Sequence, residues 1–255
     1  MPIPGFDQLQ RHMPDLAAPD KRALLGLRFI AIFAAATLFF VWTDRLIPDW
    51  QPDGEIIVMT LGFLLLARFF SQKPTYRERY GERAFRNAFM NFSVPGLAII
   101  FASVAHVAYM PGVEIPELWW KGLLRLLGVY FVVVGAGLWI RSVLLFGLDN
   151  LTMLYVYFPA EGRMVDASIY GVLRHPIYAA ALHVVIGLAL LSGNWIALVF
   201  AALMPLGLTG WVRLVEEKDL IERFPDYVNY RRRVPAFWPR PRDINRFFRF
   251  LLTGA

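Results

Sequence analysis

The stretch WWKGLLRLLGVYFVVVGAGLWIRSVLLF, residues 119–146, is apolar apart from Lys121, Arg125, Arg141 and one serine. Wound into a helix at about 1.5 Å per residue, it is long enough to cross a hydrocarbon core roughly 30 Å thick. Comparable runs recur at 24–42, 56–70, 88–110, 177–191 and 195–214, with those at 56–70 and 177–191 the shortest. Backbone groups in lipid must bond internally, and a membrane barrel would alternate apolar with polar residues, so these runs predict helices. The fold class is all-α: a polytopic membrane protein of about six transmembrane helices with a cytosolic C-terminal helical segment. A hydrophobic content of 57% and a mean hydropathy of +0.47 over 255 residues agree with that class.

Charge predicts the orientation. With the N-terminus in the cytosol, only Arg45, Lys121 and Arg125 of 26 Lys and Arg residues fall on the outer side. The outer segments 43–55 and 111–118 are acidic instead, with Asp44, Asp49, Asp53, Glu55, Glu114 and Glu117. An even number of spans places both termini in the cytosol, and in a bacterial cell the membrane would be the inner one. The net charge of +6 flanks apolar spans, which suits anionic lipid headgroups better than nucleic acid. The absence of cysteine excludes disulfides, thiolate metal sites and a cysteine nucleophile, and no metal is expected. The first apolar run follows more than twenty mostly polar residues and is too long for a signal-peptide core, so it is expected to remain in the protein.

Most of the first four spans reads as scaffold. Gly128, Gly135 and Gly137 suit close helix packing, and Trp119 and Trp120 suit an interfacial belt. Segment 67–87 reads as an internal loop, where Arg68, Lys73, Arg77, Arg79, Arg83 and Arg86 against Glu78 and Glu82 enforce topology. His106 reads as a neutral histidine bonding a neighbouring helix, while His183 stays open as a functional group. The tail INRFFRFLL is expected to lie in the membrane surface with Arg246 and Arg249 reaching toward headgroups. One structural domain is expected, divided into a scaffold and substrate part (1–169), a cofactor part (170–242) and an interfacial tail (243–255).

The chemistry concentrates after residue 170. In YGVLRHPIYAAALHVVIGLALL, residues 170–191, Pro176 marks the first turn of the fifth helix. Its free amides and positive dipole end, with Arg174 and a protonated His175, form a receptor for an anion, and Tyr178 adds a hydroxyl or a stacking face. Glu216 and Glu217 fall at the C-terminal end of the sixth helix, where carboxylates need a cationic partner. One of them is expected to face the fifth helix, and the other solvent or Arg213. A short SGN hairpin brings these two ends to one side of the membrane. Tyr227 and Tyr230, three apart, would share a helical face. Together these groups suit a zwitterionic ligand such as an amino-acid cofactor, or else form a cluster of interfacial anchors.

GVLRHPIY (171–178) followed by RLVEEKDLIERFPDYVNYRRRVPAFWP (213–239) resembles the isoprenylcysteine carboxyl methyltransferase and phospholipid N-methyltransferase superfamily. The matching positions are Gly171, Arg174, His175, Pro176 and Tyr178, then Arg213, Glu216, Glu217, Leu220, Phe224, Tyr227, Tyr230, Pro235 and Pro239. The resemblance implies an integral membrane methyltransferase whose S-adenosylmethionine pocket is built by the last two helices and the C-terminal segment. On that likeness Arg174, His175, Pro176 and Tyr178 contact the cofactor, Glu216 or Glu217 binds its amino or ribose group, and Tyr227 and Tyr230 close the pocket. Glu216, Glu217 or His183 would take a proton from an amine acceptor. The acceptor itself is expected to be lipid-like or otherwise apolar, of the isoprenylcysteine carboxylate or phospholipid amine type. Pro225, and Ala179 or Ala180, stand where the superfamily usually has glycine. The rival readings are an NADPH-dependent reductase similar to the sterol reductases, which would use Arg231, Arg232 and Arg233, and a non-catalytic membrane protein or transporter.

Overall fold

The computed structural model describes residues 4–47, 50–116, 120–162 and 164–254. Asp49, Glu117 and Trp119 lie outside the described residues. The fold is all-α, and among the described residues five helical segments are long and apolar enough to cross a membrane: Pro19–Leu46, Gln51–Ser71, Lys73–His106, Lys121–Phe146 and Trp195–Arg223. The apolar helix Pro176–Ser192 is shorter. In order, the helices are α1 (Phe6–His12), α2 (Pro19–Leu46), α3 (Gln51–Ser71), α4 (Lys73–Tyr80), α5 (Ala84–Ala88), α6 (Val94–His106) and α7 (Lys121–Phe146). They continue with α8 (Leu148–Leu151), α9 (Leu154–Tyr157), α10 (Pro176–Ser192), α11 (Trp195–Trp211), α12 (Glu217–Arg223), α13 (Tyr227–Arg233) and α14 (Ile244–Thr253).

Segment 67–87 departs from the expected loop, because α3 runs through Ser71 and α4 and α5 make most of the remainder helical. Polarity was the only sign of a loop here, and Lys, Arg and Glu are good helix formers. A π-helical turn, Phe89–Ser93, then joins α5 to α6.

Glycine decides how closely the helices approach. A Cβ on Gly187 of α10 would sit 2.7 Å from the Gly128 carbonyl oxygen of α7, and one on Gly135 would sit 2.8 Å from that of Ala180. The α7–α10 pair is therefore in backbone contact, as small-residue packing in lipid favours. Gly62 of α3 and Gly96 of α6 make a second such contact, 2.9–3.0 Å from each other's carbonyl oxygens. Gly137 takes no part in this, since a Cβ there would meet only Leu251 at 3.8 Å.

Two caps make the hairpin between α10 and α11. Gly193 takes the left-handed conformation (φ 67°) that ends α10, and Asn194 caps α11 by accepting from the Ala197 amide at 2.7 Å. The side-chain amide of Asn194 donates to the Met110 carbonyl at 2.7 Å, tying the hairpin to the segment after α6.

The first and last helices, α1 and α14, pack at the opposite end of the bundle from this hairpin. Leu9, Met13 and Leu16 join a buried cluster with Phe85, Phe89, Leu154 and Tyr157. α14 buries Phe247 and Phe250 and leaves Arg246 and Arg249 exposed, an amphipathic arrangement suited to an interface. On α2, Leu24, Leu27, Ile30, Leu38 and Trp42 are exposed, which is reasonable for a helix whose solvent is lipid.

At the hairpin end, His106 makes two bonds rather than one. Its Nδ1 lies 2.6 Å from Glu55 of α3 and its Nε2 lies 3.0 Å from Asp44 of α2. A carboxyl group therefore meets each ring nitrogen, and the ring bonds two neighbouring helices where the sequence suggests one. Phe40 stacks on the ring at 4.1 Å between centroids.

Candidate functional site

At the terminal end, α10 begins one residue after His175, as Pro176 predicts. The extended segment 234–237 crosses this start. The Arg174 amide donates to the Pro235 carbonyl at 2.9 Å and the His175 amide to that of Ala236 at 3.1 Å. Opposite them, α11 does not simply end. A π-helical turn, Val212–Glu216, leads into α12. Its altered spacing lets two consecutive glutamates reach the same imidazole, where an uninterrupted α-helix would splay them apart. Glu217 lies 3.2 Å from Nε2 of His175, and Glu216 lies 3.5 Å from Nδ1.

Arg174 and Glu217 meet directly. The guanidinium Nε and Nη2 lie 3.0 and 2.9 Å from Glu217 Oε1, while Nη1 donates to the carbonyls of Arg231 and Val234. The Tyr227 hydroxyl donates to the same carboxylate oxygen at 3.2 Å. Glu217 is only 1% exposed, so the pair is a buried structural node with no room for a ligand between its members. Tyr230 fixes the other side of α13 by donating to the Tyr170 carbonyl at 2.6 Å. Burial, and for Tyr227 the charge of Glu217 and Glu216, raises both phenols above their ordinary pKa and keeps them donors.

His175 is the titrating group of this node. Burial disfavours its charged form, but the hydrogen bonds and charge of Glu216 and Glu217 outweigh that and raise its pKa above the ordinary 6.5. The charged ring therefore contributes stability that is complete below about pH 6.5 and is lost as pH rises through the folded value. Between about pH 6 and pH 9, the thermal midpoint of detergent-solubilised protein is expected to fall. His175→Gln should remove that part of the slope, and an unchanged slope in the variant would contradict the assignment.

Beside the node lies a cavity of about 430 Å³. Arg174, His175, Pro176, Tyr178, Glu216, Tyr227 and Tyr230 all line it. Away from this polar end the wall becomes apolar, with Ile100, Phe101 and Val104 of α6 and Ala136 and Trp139 of α7. Phe101 and Trp139 meet edge to face at 6.5 Å, and both are partly exposed on the lipid-facing surface.

Two expected site residues are not on the wall. Glu217 faces Arg174 and His175, which leaves Glu216 as the carboxylate turned to the cavity. That changes the expected division, in which the second glutamate met solvent or Arg213. His183 also points elsewhere: its Nδ1 donates to the Ala179 carbonyl at 2.7 Å, and its ring packs among Phe131, Trp238 and Phe247. Conversely, Asn150, Met153, Tyr155 and Arg223 line the cavity and were not anticipated. The clue in the sequence was the aromatic segment LYVYF at 154–158, whose apolar residues have no span to belong to.

The phospholipid methyltransferase family matches residues 123–226, from α7 to the residue before Tyr227. That segment holds Arg174, His175, Glu216 and Glu217. Residues 123–226 are thus similar to the phospholipid methyltransferase family. The family falls within the isoprenylcysteine/phospholipid methyltransferase membrane superfamily. Among curated proteins, the cobalt-zinc-cadmium resistance protein CzcN of Cupriavidus metallidurans is 30% identical over 119 residues. The match covers 41% of this chain and 53% of that protein. The nickel-cobalt-cadmium resistance protein NccN of Alcaligenes xylosoxydans xylosoxydans is 29% identical over 117 residues, 40% of this chain and 53% of that protein. The chain thus aligns with about half the length of each of these relatives. No solved structure matches it significantly. Most of the residues lining the cavity fall within the matched segment, while those of α3 and α6, and Tyr227 and Tyr230, lie outside it.

Proposed function

We propose that this protein is an integral membrane methyltransferase that uses S-adenosylmethionine and acts on a lipid-like acceptor. The observation that carries the reading is a single cavity with a polar end at the α10 start and an apolar end between α6 and α7. The cofactor fits the polar end chemically: Glu216 is a carboxylate turned to the cavity for an ammonium or ribose hydroxyl, and Tyr178, Tyr227 and Tyr230 present aromatic surface. When bound, S-adenosylmethionine supplies an electrophilic methyl group on a sulfonium, which passes to the acceptor as the carbon–sulfur bond breaks.

The chain's own residues do the rest. The Arg174–Glu217–Tyr227 node holds α10, α12 and α13 in register, so that Glu216 and His175 keep fixed positions. Phe101 and Trp139 admit an apolar chain from the bilayer and exclude water, and alignment of this kind lowers the barrier by an amount on the order of 7–11 kcal/mol. For an amine acceptor Glu216 is the nearer proton acceptor; His183, set apart from the wall, is left a packing role. The end of the bundle carrying both termini faces the cytosol, in keeping with the distribution of Lys and Arg, and the membrane is the inner one if the cell is bacterial. The resistance named in the relatives describes those proteins. Among the described residues here, no three or more His, Cys, Asp or Glu side chains are grouped to hold a metal ion.

Calorimetric titration of purified protein in detergent with S-adenosylmethionine tests the reading. Binding is expected, and Glu216→Gln should weaken it about 10- to 100-fold, the worth of one hydrogen bond to a charged group. Saturable NADPH binding in place of S-adenosylmethionine binding would replace methyl transfer with reduction.

A further inference from the structure

The guanidinium expected to receive an anion, Arg174, spends its nitrogens on Glu217 and two backbone carbonyls. A second guanidinium stands on the cavity wall. Arg223, the last residue of α12, has a side chain only 9% exposed and lines the cavity. Its Nε donates to Asp219 Oδ2 at 2.7 Å, and its Cζ lies over the rings of Tyr155 and Phe224, 4.2 and 5.0 Å from their centroids. These contacts orient the fork without satisfying it. Among the described residues, Nη2 of Arg223 is the guanidinium nitrogen that is buried with no hydrogen-bond partner.

A buried unsatisfied donor on a cation is costly, and one on a guanidinium that also contacts two aromatic rings and a carboxylate at a cavity wall is pre-organised for a ligand. Arginine's planar fork matches carboxylate and phosphate oxygens. We infer that Arg223 is an oxyanion anchor of this cavity, taking a carboxylate or phosphate oxygen of a bound ligand. Two ligands offer that chemistry: the amino-acid carboxylate of the cofactor, and an anionic headgroup on the acceptor. The cofactor source rests on the methyl-transfer reading above, whereas the acceptor source does not need it.

Two ligand pairs, each differing by one anionic group, test this on the intact chain in neutral-lipid nanodiscs. S-Adenosylmethionine is compared with its decarboxylated form by calorimetry, and dodecyl phosphate with dodecanol by tryptophan fluorescence without cofactor. Wild-type protein is expected to prefer the anionic member of at least one pair by about tenfold or more. The double variant Arg223→Met/Asp219→Asn, which strands no carboxylate, should lose that preference while binding the neutral member as before. Arg223→Lys should restore part of it. Preference within the first pair assigns the anchor to the cofactor, and within the second to the acceptor. Equal affinity within both pairs for wild-type protein overturns the inference, with a structural water then serving Nη2, and this outcome does not depend on whether any variant folds. Preference that survives in the double variant overturns it as well. If neither adenosyl compound binds but dodecyl phosphate is preferred, the anchor stands and the methyl-transfer reading falls.

Discussion

Glu217→Ala is expected to destabilise the protein by about 3–5 kcal/mol, the cost of removing one partner from a buried ion pair. Glu217 Oε1 is the shared acceptor for Arg174, His175 and Tyr227. Truncation therefore leaves a largely buried guanidinium without its counter-charge and the imidazole with Glu216 alone. The effect spreads because Arg174 also holds the carbonyls of Arg231 and Val234, so the segment after α13 loosens with it. Thermal unfolding in detergent, followed by tryptophan fluorescence, should show a midpoint lower on the order of 10 °C. Glu217→Gln should cost less, since one oxygen still accepts. A midpoint for Glu217→Ala within a degree or two of wild type would mean that the node is not structural, and that Glu217 is free to serve a ligand.

The second large effect belongs to the other end of the bundle. His106→Leu leaves Asp44 and Glu55 buried without the imidazole that bonds them both, and a loss of about 3–5 kcal/mol is again expected. Three helices meet there, since Asp44 is on α2, Glu55 on α3 and His106 on α6. The decisive comparison is the triple replacement Asp44→Asn/Glu55→Leu/His106→Leu. It removes the charges together, and a buried ionic cluster exchanged for neutral groups of similar size is often no less stable. Recovery of the midpoint in the triple variant, measured by the same unfolding assay, shows that the single variant suffers from stranded charge. If the triple variant is as unstable as the single one, packing around the Phe40–His106 stack carries the stability instead.

Several elements could be read from local chemistry. The apolar runs place the helices because a span must satisfy its own backbone, and Pro176, Gly193 and Asn194 mark ends and turns through constraints that act within a few residues. The Arg-His-Pro stretch and the paired glutamates were recognisable as one site for the same reason: carboxylates at a helix C-terminus and cations at a helix N-terminus each call for a partner. The helices α4 and α5 within 67–87 are not legible because a run of charge reads as loop, although charged residues form helices readily when one face packs.

Which charge meets which was not legible. Arg174 reads as a ligand receptor until the carbonyls of residues 231 and 234 arrive to occupy it, and nothing in the sequence singles out Arg223, which Tyr155, 68 residues earlier in the chain, brings to the cavity wall. Glu216 and Glu217 both reach His175, where the sequence sends one of them to solvent or Arg213, because a π-helical turn shifts the phase of the helix by a fraction of a turn. Hydrophobic length is a property of a segment and survives any arrangement of its neighbours. The partner of a buried charge depends on distances of about 3 Å between segments far apart in the chain, and packing alone sets those distances.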